Sequence, residues 1–191
     1  MFASFPHIHR RGLVRFFCNM KTRTFILTLG TAIALSPAFA AEKEKSDGAS
    51  ASDKAFIMKA ADGGMTEVEL GKIAEKNGEK EDVKSFGSHM VKDHGKANDD
   101  LKTIASKMNV TVPDKVSAEH QAKIDKMSKM SGGAFDTAYI KGMVEDHEKT
   151  AAEFEKARGQ VTSEDLKKFI DDTLPVVKGH LEMVKKMQNT K

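Results

Sequence analysis

Between residues 83 and 108, core-type side chains return every three or four positions: Val83, Phe86, Met90, His94, Ala97, Leu101, Ile104 and Met108. This spacing tracks the 3.6-residue turn of an α-helix and leaves one stripe to be buried. It predicts a helix over about 79 to 108. Such a helix cannot bury its stripe alone, so the chain must supply partners for it.

Three further segments meet that demand. A helix over 53 to 76 ends at Asn77-Gly78, a stop suited to a left-handed cap. Another opens at Gly132-Gly133 and runs to 158, with a stripe through Phe135, Tyr139, Met143, His147, Ala151 and Phe154. The last runs to 188, through Phe169, Thr173, Val176, Val177, His180, Val184 and Met187. Thr162, with Asp165 three residues on, resembles its capping box, and Pro175 is expected to kink it. Between the second and third long helices, Ser117 can cap a short helix to about 130.

After residue 40 the only prolines are Pro113 and Pro175, and no stretch alternates apolar and polar residues as a strand would. The fold class read from the residues is all-α, a four-helix bundle with a short extra helix between the second and third long helices. The connection from 109 to 132 is long enough for one crossover of the ferritin-like kind. It is equally compatible with an up-down-up-down bundle carrying a side helix.

The first 40 residues do not belong to that bundle. From Met20, Lys21 and Arg23 precede the apolar run Phe25 to Leu35, and Ala38-Phe39-Ala40 is a small-x-small cleavage site. This is a secretory signal, with Met20 the expected start and cleavage after Ala40. Residues 1 to 19 then read as an upstream extension, and the polar stretch 41–52 as a flexible leader to a bundle over 53–188.

Removing residues 1 to 40 takes five basic and no acidic residues, so a whole-chain charge of +3 becomes −2. Lysines are scattered among acids, and Arg158 is the one remaining arginine, a pattern unlike a nucleic-acid surface. Cys18, the only cysteine, leaves with the signal. The mature chain therefore has no disulfide and no thiolate, and must be held by packing. It has no apolar run of about 18 residues for a spanning helix. The expected location is the periplasm, with peripheral envelope contact or a protein partner compatible with the sequence.

The pentad Met90-Val91-Lys92-Asp93-His94 returns as Met143-Val144-Glu145-Asp146-His147. The flanking residues match poorly, so the repeat reflects similar local demand and not a solenoid period. In each copy the methionine and the histidine, four apart, share one face, while the aspartate lies about 100° round the helix. His180 also falls on its stripe, with Met183 three residues later. On the first helix Glu67 lies on a line of small residues, Ala60, Gly64, Gly71 and Ala74, that permits close approach.

A bundle can bring Glu67, His94, His147 and His180 into one layer, and these four form the candidate metal set. Imidazole and carboxylate suit zinc, iron or copper, and added thioether favours copper(I). The Glu-x-x-His pattern of di-iron oxidases is missing, since Phe86, Val91, Ser117, Val144 and Val177 precede the five histidines of the mature chain by three residues. His89 and His120 read as exposed. No nucleophile motif, phosphate loop or zinc-protease motif is present, so no enzyme activity is expected.

The segments Glu67–Ala74 (EVELGKIA), Met90–Asn98 (MVKDHGKAN), Tyr139–Lys156 (YIKGMVEDHEKTAAEFEK) and Thr173–Met183 (TLPVVKGHLEM) resemble the bacterial exported family called domain of unknown function 4142. The resemblance spans about 53 to 187. It implies a ferritin-like helical bundle and no known activity, and members often carry the label "predicted outer membrane protein". Two functional readings follow. One is an exported module binding a metal ion or small ligand in its core, for buffering or stress protection. The other is a structural or interaction module of the envelope whose histidines only tie helices together.

Overall fold

A computed structural model describes residues 48–190. The upstream extension, the signal segment and the leader up to residue 47 lie outside the described residues. Five helices make up the described chain: α1 (Ala51–Asn77), α2 (Glu81–Lys107), α3 (Ala118–Ser128), α4 (Gly132–Arg158) and α5 (Glu164–Asn189). No strand occurs among the described residues. The bundle has the four long helices and the short one between α2 and α4 that the stripes predict.

Local chemistry explains most of the boundaries and corrects three. α1 starts at Ala51, two residues before its stripe suggests, because Ser50 forms a reciprocal capping box with Asp53. Gly78 ends α1 in an extended conformation (φ −61°), not the left-handed one expected there. Left-handed backbone occurs instead at Asn109 (φ 55°), just past α2, and at Gly132 (φ 62°), where α4 opens. The cap of α5 is Ser163, whose side chain accepts from Leu166 N, and not Thr162. α5 runs unbroken through Pro175. Val176, placed on its apolar stripe by spacing, is 41% exposed.

The helix ends define the topology. The N-terminus of α1 meets that of α5, where Thr162 N and Oγ1 donate to Asp53 at 2.8 and 2.6 Å. At the other end, Asn77 donates to the carbonyls of Ser128 and Met130, just before α4. There Asp136 of α4 accepts from Glu79 N and Lys80 N and caps α2, whose own N-cap Lys80 offers no side chain. So α2 and α4 start at the same end and run parallel. The 108–131 connection returns along the bundle, over α1. The bundle therefore has one long crossover, the connection that spacing left open.

Helices α1 and α2 form one hairpin, α4 and α5 the other, with α2 packed on α5 and α1 on α4. α1 and α2 come closest at Gly71 and Gly87, where a Cβ on either would lie 2.7 Å from the other's carbonyl oxygen. The small-residue line of α1 is thus used as its composition suggests. Packing divides the core in two. Phe86, Met90, Phe135, Tyr139 and Met143 anchor one cluster. Phe56, Leu101, Phe154, Phe169 and Ile170 anchor the other. On all four long helices the residues between these clusters include a titratable one: Glu67, His94, His147 or His180.

Candidate metal centre

The stripe of each helix carries its histidine inward because the stripe is anchored in apolar clusters on both sides of it. Met90 and Leu101 flank His94, Met143 and Phe154 flank His147, and Ile170 and Val184 flank His180. All three imidazoles are buried, at 8%, 1% and 2% exposure. Their ring centroids form a nearly equilateral triangle with sides of 5.8, 5.4 and 5.6 Å.

Second contacts determine which nitrogen each ring presents. His147 Nδ1–H donates to the Met143 carbonyl at 2.9 Å, leaving Nε2 without a partner. His180 Nε2–H donates to Asp93 Oδ2 at 2.9 Å, leaving Nδ1 without a partner. His94 Nε2 is likewise buried and unpartnered. One nitrogen from each ring lies within 4.8 Å of the others, the only such His, Cys, Asp or Glu group among the described residues.

Burial, reinforced by the neighbouring imidazoles, holds His94 down at about 3 from its ordinary 6.5. Burial and His180 hold His147 at about 4. Both rings are neutral at neutral pH and offer lone pairs. Buried polar atoms rarely stay unpaired in native proteins, and three converging imidazole nitrogens are a donor set that could hold a metal ion. Bonds of about 2 Å require the nitrogens to draw together by roughly 1 Å, within reach of small ring rotations. The residues present therefore fit a bound transition-metal ion.

Glu67, the fourth residue of the expected set, is 8% exposed, but it does not join the three-nitrogen group. It shares a cavity with His94 and His147, and its Oε2 has no partner. Burial, with Asp146 adding repulsion, pushes its carboxyl up to about 8. Among the methionines, Met90 and Met143 pack in the apolar cluster beside Phe86 and Tyr139.

The two pentad aspartates differ in use. Asp93 reaches across to His180, while Asp146 pairs with Lys123 of the crossover helix. His89 is exposed, as spacing suggests. His120 is instead half-buried, with Nδ1 2.9 Å from Asp62 on α1, because α3 packs over α1. Three anchoring roles are not legible in the sequence: Lys123 and Asp62 hold α3, and Asp53 clamps the α4–α5 turn. The Ser50-x-x-Asp53 spacing was the one available signal for the last.

The class defined by this fold and centre is a helical-bundle protein with a buried three-histidine site that could hold a metal. The chain belongs to the family described as domain of unknown function (DUF4142), whose model matches residues 38–187. Two solved structures are similar. "CopM in the Cu(II)-bound form" has a TM-score of 0.61 at 16% identity, covering 72% of this chain and 97% of that one. "CopM in the Cu(I)-bound form" has 0.59 at 14% identity, covering 70% and 93%. At such identity the likeness is one of fold. No curated protein matches the sequence. No described helix is long and apolar enough to cross a membrane.

Proposed function

We propose that this protein is an exported, non-enzymatic metal-binding module whose centre, His94, His147 and His180, holds one transition-metal ion, copper ahead of zinc or iron. The observation that carries this reading is the convergence of three buried, unpartnered imidazole nitrogens within 4.8 Å. The copper-bound neighbours support copper over the other metals that imidazole suits. The signal-like segment 20–40 supports export to the periplasm, with peripheral envelope contact compatible with a mature charge of −2. A buffering or stress-protective role suits a buried site with no nucleophile beside it.

The chain's own residues do the following. Asp93 and the Met143 carbonyl hold two rings in the tautomers that expose the ligating nitrogens. Burial keeps His94 and His147 neutral, so no proton has to leave before binding. Glu67 borders the centre on the cavity side. The bound ion supplies the positive charge that three facing lone pairs lack.

Thermal unfolding of the mature chain with copper(I), copper(II), zinc or iron(II) tests this. One metal should raise Tm, adding about 3 kcal/mol of stability at a free concentration of 100 times Kd. The shift should vanish in His94→Ala/His147→Ala. No shift with any metal, and a double variant that melts early without metal, would leave the histidines structural. The envelope-interaction reading would then stand.

A further inference from the structure

A cavity of about 410 Å³ opens beside the three-histidine centre. It lies along the seam of α1 and α4, the least closely packed pair among adjacent long helices. Its deep end is polar, formed by His94, His147 and Glu67. Phe56, Leu101, Phe154, Phe169 and Val177 form an apolar patch in its wall, among polar side chains that include Asn98, Lys123 and Asp146. At the surface, Lys59 and Glu153 pair across the seam at 2.7 Å. His180 does not line this cavity, since it is turned toward Asp93 on the α2–α5 side.

The volume exceeds what an ion and its water require. One water occupies about 30 Å³ in the liquid, so the space would hold on the order of ten. It lies instead within the range of small-molecule pockets, roughly 300–1,000 Å³. The clustered rings of Phe56, Phe154 and Phe169 are poorly matched to water alone. The deep end also has an unsatisfied group outside the imidazole triangle: Glu67 Oε2, more than nine-tenths buried and without a partner.

We propose that this cavity is a second binding site, for a small N–H-bearing nitrogen heterocycle with an apolar body. Its N–H would donate to Glu67 and its apolar part would lie against Phe56, Phe154 and Phe169, leaving its bare nitrogen available to an ion that His94, His147 and His180 would hold. An imidazole-type ring has one donor and one lone pair on separate, diverging nitrogens. A carboxylate would meet the same burial and the same Asp146 repulsion that Glu67 itself meets, and a bare aliphatic amine lacks the surface to cover the phenylalanines. The metal contact rests on the function proposed above, while the cavity contacts do not.

The test uses imidazole and 4-phenylimidazole as probes on the purified protein. Copper retention after gel filtration is measured first. Each probe is then titrated by calorimetry and by the visible spectrum of the copper(II) form, and again by calorimetry on the metal-free form. In the copper form 4-phenylimidazole should bind one-to-one, at least about tenfold tighter than imidazole, because the phenyl group buries apolar surface. Ala60→Leu, which fills the wall beside Phe56, should weaken 4-phenylimidazole about tenfold and leave copper retention unchanged. Glu67→Leu should weaken it by a similar factor by removing the acceptor.

Equal affinity for the two probes, or indifference to both substitutions, would overturn the site. The probe comparison in the unsubstituted protein decides this even if a variant does not fold. Should no copper be retained, the metal reading fails separately. Calorimetry on the metal-free form then decides the cavity: binding of 4-phenylimidazole that Ala60→Leu abolishes sustains it, and absence of binding overturns it.

Discussion

Acidification from pH 7 to pH 5 should reveal the buried layer through two opposing terms. His94 and His147 sit at about 3 and about 4 in the fold against an ordinary 6.5. The unfolded chain therefore takes up their protons first, and stability falls as pH drops through 6.5. At pH 5 each histidine forfeits about 2 kcal/mol, nearly 4 together, at about 1.4 kcal/mol per pKa unit. Glu67 acts with the opposite sign. Its carboxyl is at about 8 in the fold against 4.5, so the folded form binds the extra proton, and stability rises as pH falls from 8 to 4.5. Between pH 7 and 5 this returns roughly 2–3 kcal/mol.

The metal-free protein should therefore lose only about 1 kcal/mol over this range, whereas Glu67→Gln should lose nearly 4. The same substitution should stabilise the protein at pH 7 by roughly 3 kcal/mol, since Gln has no charge to gain on unfolding. Urea unfolding of both proteins at pH 7, 6 and 5 supplies the numbers. Parallel pH profiles for the two, or a Glu67→Gln variant weaker than its parent at pH 7, would refute the assignment of a neutral acid beside neutral imidazoles.

Asp93→Ala frees His180 Nε2 and should weaken metal binding by about 10–100-fold, read by competition with a chelator. Asp53→Ala removes the acceptor for Thr162 and Ser163 and should lower unfolding free energy by about 2–4 kcal/mol. Burial would raise the Asp53 carboxyl, but hydrogen bonds from Thr162, Ser50 and Ser163 outweigh it and hold it at about 2. Its stabilisation is therefore present above 3.8 and lost as pH falls toward 2, a step that acid titration of the variant should lack. Gly87→Ala places a Cβ 2.7 Å from the Gly71 carbonyl oxygen and 2.8 Å from Ala74 Cβ. It should destabilise by about 1–3 kcal/mol in urea unfolding despite alanine's better helix propensity.

Much of the bundle was legible because helical periodicity is a property of neighbours. Phe86, Met90, His94 and Leu101 share a face through the geometry of a single helix, so burying one implicates the others. His94, His147 and His180 were legible as inward groups for that reason, and Glu67 through the small residues that let α2 approach α1. Caps were less legible. Ser163 and Thr162 are adjacent and chemically alike, and Asp53, on a remote helix, is the acceptor that draws Thr162 away from α5. His120 seemed exposed because nothing local showed that α3 would lie along α1.

By itself, then, the sequence determined the all-helical class, the number of long helices and which face of each is buried, because those follow from residues within a few positions of one another. Only the tertiary structure decided that α2 and α4 run parallel, and that Asp93 meets a ring 87 residues away. It also decided that three imidazoles converge while Glu67 stays on the cavity beside them. Those outcomes depend on how far each helix slides and turns against its neighbours. Close approach at Gly71 and Gly87 and the clamps of Asp53 and Asp136 set that register between residues far apart in the chain.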